Sequence, residues 1–272
     1  MRLDRWLAAV GVAAFAFNAA PGQADTIRVG GTGSALGTMR MVGDAFEKAH
    51  PGIAVRVLKS LGSSGGINAL ARGAVDLALS SRTLREKEKN LGLKASRYAI
   101  TPLGLFTSRN EKNVSLSIDE VAQIFAGQRT AWPDRKSILI AMRPKTETDI
   151  EILGTYSPEL KAALDIAVGR PELPILFADQ DALDFLETHP GSFGAMALAA
   201  AVSERRRLTP LNLDGVAPTV ENLANGTYRL SKAFYFVHAG APSPLVQKLM
   251  AFVGSPAGAD ILRAAGNLPK SD

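Results

Sequence analysis

The segment Ser60-Leu61-Gly62-Ser63-Ser64-Gly65-Gly66-Ile67 separates two runs of different hydrophobic period, and this switch constrains the fold more than any other feature of the chain. Before it, Ile53, Val55 and Val57 alternate with Ala54, Arg56 and Leu58, the period of two of a strand in a sheet. After it, Ile67, Leu70, Ala71 and Ala74 recur at the spacing of one helical face. The glycines let the backbone approach a ligand closely, and Ser63 and Ser64 add hydroxyls. A strand, a Gly/Ser loop and a helix N-terminus together form an anion site. The same letters fit a G-x-S-x-G nucleophile elbow with Ser64 as nucleophile. They also fit a plain connection whose serines only cap the helix.

Two further units repeat the pattern. Thr26–Gly30 reads as a strand followed by Gly31-Thr32-Gly33-Ser34-Ala35-Leu36-Gly37, with a helix after it that places Val42, Ala45, Phe46 and Ala49 on one stripe. Val75–Leu79 reads as a strand ending in Ser80-Ser81-Arg82. Ser34, Ser63 and Ser81 thus fall at one edge of a parallel sheet, where open α/β folds bind ligands. The G-x-G-x-x-x-G spacing of the first loop is one residue off the dinucleotide fingerprint, and no acidic residue ends the next strand, so no cofactor is expected.

Residues 1–24 carry Arg2 and Arg5, an apolar stretch from Trp6 to Phe17, and small residues up to Ala24, the layout of a secretory signal peptide. That stretch of about 12 residues is too short to span a bilayer, which takes about 20. The mature protein, Asp25–Asp272, is expected to be soluble and exported. The net charge is +5, and losing Arg2, Arg5 and Asp4 with the leader leaves +4, a mild excess that suits an anionic ligand but is too diffuse for nucleic acid. Arg205-Arg206-Arg207 is read as a solvated helix end. The absence of cysteine excludes disulfide and thiolate chemistry, and His50, His189 and His238 have no carboxylate at metal-ligand spacing, so no metal is expected.

Further along, an apolar run from Arg97 to Ser108 leads toward a second domain, and Ser117-Ile118-Asp119-Glu120 is a capping box whose helix stops at Gly127. Ile138–Met142 reads as a buried strand. Arg143 at its end is either a guanidinium aimed into a cleft to grip an oxyanion or an ordinary surface arginine. Asp179-Gln180-Asp181 opens a short helix, and Ala233–Val237 is an apolar strand.

Several motifs occur in an order that resembles the type II periplasmic binding proteins, and among them the phosphate-binding component of ABC phosphate transporters. They are Gly30-Gly31-Thr32-Gly33-Ser34, Gly62-Ser63-Ser64-Gly65-Gly66-Ile67, Val75-Asp76-Leu77-Ala78-Leu79-Ser80-Ser81, Ile124-Phe125-Ala126-Gly127 with Trp132, Gly191-Ser192-Phe193-Gly194, Asn222-Leu223 with Gly226-Thr227-Tyr228-Arg229-Leu230, and Gly266-Asn267-Leu268-Pro269. The resemblance implies a two-lobed α/β fold of type II, each lobe a mostly parallel sheet flanked by helices, with the ligand cleft between them. Lobe 1 would be 25–106 plus 235–272 and lobe 2 would be 107–234, with crossings near Leu103–Ser108 and Phe234–His238. It also implies a periplasmic, monomeric, non-enzymatic protein that binds a small oxyanion, phosphate or a relative, and delivers it to an ABC transporter permease in the inner membrane. Carried over by position, the ligand would meet Ser34, the Ala35 N–H, Ser63, Ser64, the Gly65 and Gly66 N–H groups, Ser81, Arg143 and Thr148.

The chain departs from the family at two places. Ser81 stands where the family has an aspartate, and Glu147-Thr148-Asp149 stands where it has Ser-Gly-Thr. A carboxylate within about 4 Å of a phosphate oxygen is strongly repelled at low dielectric. Either Glu147 and Asp149 turn away as helix-start acids, the preferred expectation, or the fold is repurposed for another ligand, zwitterionic ones included. A third alternative is a serine hydrolase using Ser64, Asp214 and His238.

Overall fold

The computed structural model describes residues 25–111 and 113–270, so the signal-peptide expectation for 1–24 lies outside the described residues. The first half runs β1 (Asp25–Gly31), a 3-10 turn (Gly33–Ala35), α1 (Leu36–Ala49), β2 (Ile53–Val57), α2 (Gly62–Ala71), β3 (Leu77–Ser80), α3 (Glu86–Lys89) and the long β4 (Leu93–Thr107). It continues with β5 (Ser115–Leu116), α4 (Ile118–Ala126), β6 (Leu139–Ile140), α5 (Thr148–Leu153), α6 (Pro158–Val168), α7 (Asp179–Thr188) and β7 (Ser192–Ala197). The last part is α8 (Leu198–Ser203), β8 (Thr209–Leu213), α9 (Val220–Ala224), β9 (Ser231–Ala239), α10 (Pro244–Val253), α11 (Pro256–Ala264) and β10 (Leu268–Pro269).

The strands form one curled sheet in the order β2-β1-β3-β9-β4-β7-β6. β1 pairs in parallel with β2 and β3, as three successive strand–loop–helix units require. At the other end β6 pairs in parallel with β7. Between these ends the pairings of β9 with β3 and β4, and of β4 with β7, are antiparallel. β4 is the element that joins the halves: Leu93–Pro102 pairs with β9, and Leu103–Thr107 pairs with β7 and β8.

Two large cores follow. The first gathers Ile27, Val29, Leu36, Met39, Val42 and Phe46 with Leu77 and Leu79, and also takes in Ala182, Leu183 and Leu186 of α7 and Ala199–Ala201 of α8. The second packs Leu103 and Leu105 with Val121, Ile124, Phe125, Trp132, Phe193 and Leu211. The capping box is present: Ser117 Oγ accepts from Glu120 N–H, the Glu120 side chain accepts from Ser117 N–H, and Gly127 closes α4 at φ 78°.

Three local expectations are corrected. α2 begins at Gly62, inside the glycine segment, and ends at Ala71, so Ala74 is outside it and only Ile67 of its supposed inner face is fully buried. The α1 stripe is Leu36, Met39, Val42 and Phe46, while Ala49 is exposed. Arg206 is not a solvated helix-end charge, because Asp184, Glu187 and Glu204 all pair with it.

Candidate functional site

The C-terminal ends of β1 and β3 and the start of α2 are locked together through glycine. A Cβ on Gly66 would lie 2.5 Å from the Gly31 Cα, and one on Gly31, at φ +148°, would lie 2.0 Å from the Leu79 carbonyl oxygen. Contacts that close admit only glycine. With α2 starting at Gly62, the free first-turn N–H groups belong to Gly62, Ser63 and Ser64, whereas those of Gly65 and Gly66 fall within the helical ladder.

Beside this helix start lies a polar cavity of about 320 Å³, lined from the first half by Leu61–Gly65, Ser81, Arg82 and Arg85 and from the second by Thr146, Glu147 and Thr148. A chain of hydroxyls crosses its wall. Ser63 Oγ is 3.0 Å from Ser81 Oγ and accepts the Ser81 N–H at 3.0 Å, and Ser81 Oγ is 3.0 Å from Thr148 Oγ1. Arg82 donates to Ser64 Oγ and to the Thr83 carbonyl, each at 2.9 Å, and to Glu88, whose carboxyl it holds down at about 2. The exposed Arg85 guanidinium makes no salt bridge among the described residues, though its charge adds to the lowering of Glu88.

Behind that wall is a second, sealed group of charges. Lys232 of β9 is wholly buried and donates to Asp149 Oδ1 at 2.6 Å and to Ser34 Oγ at 2.9 Å. Ser34 Oγ in turn donates to Asp179 Oδ1 at 2.7 Å. Arg143 is 1% exposed; its Nη1 donates to the Leu176 and Ala178 carbonyls at 2.7 and 2.6 Å, and its Nη2 lies 3.5 Å from Asp179 and 3.6 Å from Glu147. Burial alone would discharge Lys232, but Asp149 and Asp179 outweigh it and keep the ammonium protonated. Burial likewise opposes the Asp179 carboxylate, yet Lys232, Arg143 and the Ser34 hydroxyl and N–H hold its pKa below the usual range. Glu147 goes the other way: burial pushes its carboxyl up, Arg143 pulls it partly back, and Asp179 adds to the rise.

The residues expected from sequence therefore divide. Ser63, Ser64, Gly65, Ser81 and Thr148 line the cavity, while Ser34, Ala35, Gly66 and Arg143 are buried and do not. The expectation that Glu147 and Asp149 turn away as helix-start acids holds for Asp149, which sits in the first turn of α5 and does not line the cavity, and fails for Glu147. Asp149 is fully buried and points inward to Lys232, and Glu147 lines the cavity. Arg82, Arg85, Asp179 and Lys232 were missed. One signal was available for Lys232, which shares the buried face of its strand with Phe234 and Phe236 at a period of two. The hydrolase triad is not assembled. Ser64 accepts from Arg82, Asp214 is taken by Tyr156 and the Ile118 N–H, and His238 bonds to the Ala239 carbonyl.

Comparison with known proteins places this architecture. The model of a family described as PBP superfamily domain matches residues 18–257. The Phosphate-binding protein PstS 2 of Streptococcus agalactiae is 29% identical over 106 residues, 39% of this chain, and the match spans 36% of that relative's length. The Phosphate-binding protein PstS of Bacillus subtilis is 24% identical over 220 residues, covering 78% of this chain and 69% of its own. A crystal structure from Clostridium perfringens with bound phosphate shares the fold at a TM-score of 0.75 and 21% identity, covering 91% of this chain and 100% of that one.

Proposed function

We propose that this chain, which belongs to the PBP superfamily domain family, is a periplasmic solute-binding protein that captures phosphate or a related oxyanion for an ABC-type permease of the inner membrane. The observation that carries this reading is the Ser63–Ser81–Thr148 hydroxyl chain, which spans both halves on the wall of a cavity that also holds the first turn of α2 and two arginines. Hydroxyls and free helix-start N–H groups are the donors an oxyanion requires, and charge-assisted bonds of this kind contribute about 1.5–3 kcal/mol each. The names of the two curated relatives support the same ligand class. Nothing in the reading calls for catalysis, and the protein is taken to act as a monomer.

Within this proposal residues 1–24 are the export signal, 25–106 plus 235–272 form lobe 1, and 107–234 form lobe 2. β4 and β9 are the crossing strands. Among the described residues no helix is long and apolar enough to cross a membrane. Ser63, Ser64, Ser81, Thr148 and the α2 first turn meet the ligand, with Arg82 and Arg85 added to the set. Ser34, Ala35, Gly66 and Arg143 form the layer behind. A thermal-shift screen against phosphate, arsenate, sulfate and phosphonates tests the reading. A ligand at a hundred times its Kd adds about 2.7 kcal/mol of stability, and the absence of a shift with every oxyanion counts against it.

Glu147 makes the binding pH-dependent. Its ionised carboxylate repels an oxyanion in the cavity, so Glu147→Gln is expected to tighten oxyanion binding at pH 8 by up to about tenfold, or about 1.4 kcal/mol. The gain should shrink in titrations carried down to pH 5, since the wild-type carboxyl, its pKa raised by burial, takes up its proton as pH falls. The same sign applies to stability. Because the folded-state pKa of Glu147 is raised, its favourable contribution is complete below the unfolded-state value and is lost as pH rises through the folded one. E147Q should accordingly melt above wild type at pH 8 and level with it at pH 4. Calorimetry and melting curves at the three pH values read both effects.

A further inference from the structure

We propose that Asp179 is a built-in anion of the binding site: its carboxylate fills the cradle made by Gly33–Ala35, Arg143 and Lys232, confining ligand to the outer cavity and selecting an oxyanion carried on a larger molecule, a phosphate or phosphonate monoester, over free phosphate. The proposal rests on the oxyanion-binding reading above and refines its ligand class.

The cradle gives the carboxylate what a bound oxyanion would demand. Asp179 Oδ1 accepts the Ser34 hydroxyl at 2.7 Å, and the Arg143 and Lys232 cations lie 3.5 and 3.9 Å away. The other oxygen rests on Gly33, where a Cβ would come within 2.6 Å of it, so the space against the turn is already taken. Gln180 fixes the arrangement, donating from Nε2 to the Gly33 carbonyl at 3.2 Å and to Glu204 at 2.8 Å.

Charge leads to the same result. Lys232 and Arg143 face Asp149, Asp179 and, beside Arg143, Glu147, so an incoming dianion finds no net attraction in the sealed group unless Asp179 is neutralised or withdrawn. The outer cavity is separate, since neither Ser34, Arg143 nor Asp179 lines it. Its 320 Å³ falls at the lower end of the range of about 300–1,000 Å³ typical of sites that enclose small organic ligands. Arg82 and Arg85 on its lining suit the oxyanion, and Glu147, on the same lining, suits a hydroxyl or ammonium group of the remainder.

The test is calorimetric titration of the wild-type protein, Asp179→Asn, Asp179→Ser and the double variant Asp179→Ser/Ser34→Ala with inorganic phosphate and with glycerol phosphate at pH 7. Wild type is expected to bind glycerol phosphate at least tenfold more tightly than phosphate. Either single variant should raise phosphate affinity at least tenfold, with the gain abolished in the double variant. Circular dichroism identifies which variants are folded, and the wild-type preference is read without any of them. Equal wild-type affinities, or folded Asp179 variants with unchanged phosphate affinity, would overturn the proposal while leaving oxyanion capture intact. Binding of phosphate by the Asp179 variants alone, with no oxyanion bound by wild type, would uphold the built-in anion and refute oxyanion capture. No binding in any protein refutes both.

Discussion

Lys232→Ala is expected to lower the unfolding free energy by about 3–5 kcal/mol, the cost of breaking a buried charge pair from one side. The ammonium is fully buried, and without it the one remaining cation of the group, Arg143, pairs with Asp179 and Glu147 and leaves Asp149 with none. Asp149 has no reserve, because its Oδ2 lacks a hydrogen-bond partner among the described residues. Replacing both members, as in Lys232→Met with Asp149→Leu, should recover much of the loss, since apolar pairs of similar volume often substitute for buried ion pairs. Urea denaturation with linear extrapolation measures each value, and a loss below about 1 kcal/mol for K232A would contradict the assignment. The pH dependence has a defined sign. The raised Lys232 pKa adds stability that is present below the unfolded lysine value and lost as pH climbs through the folded one. The lowered Asp179 pKa adds stability present above the unfolded carboxyl value and lost as pH falls through the folded one.

Arg143→Ala should be the second large effect, about 3 kcal/mol or more, because it strips a buried guanidinium from two carbonyls and a carboxylate. Those carbonyls, Leu176 and Ala178, belong to the segment that leads into α7 and sets Asp179 in the cradle. Lysine should not rescue it, since a single ammonium cannot reproduce the planar fork. The sequence alone suggests another outcome for this variant, a tenfold or greater loss of anion affinity through a lost direct contact. The two are separable: a variant with wild-type stability and lost affinity would put Arg143 against the ligand, whereas lost stability supports its place in the sealed group.

The local parts of the fold were legible because their causes are local. Period and glycine placement identified β1, β2 and β3 and the helices after the first two, and the Ser117–Glu120 box with Gly127 fixed both ends of α4. The hydroxyls at the strand edges were legible for the same reason: Ser63 and Ser81 do meet, joined by Thr148, which only the family resemblance pointed to, while Ser34 turns to Asp179 and Lys232 instead. The charges behind them were not. Lys232 and Asp149 are 83 residues apart, and Lys232 and Ser34 are 198 apart, so no local pattern announces their pairing. Asp149 and Asp179 sit in the first turns of α5 and α7, where an acid is explained by the helix dipole, and that sufficient local explanation hid their tertiary role. Arg143 shows the converse. A cation at a strand end beside a cleft suits an oxyanion, but residues 176–179, distant in sequence, supply carbonyls and a carboxylate that already engage it.

Calorimetric titration of the wild-type protein and of Ser81→Ala and Arg85→Ala with phosphate and phosphate monoesters at pH 7 tests oxyanion capture in the cavity most directly. Saturable binding of at least one of these anions, weakened about tenfold or more in both variants, is the result predicted from a charge-assisted contact worth about 1.5–3 kcal/mol. No binding of any of them, or an affinity that neither variant changes, would contradict it.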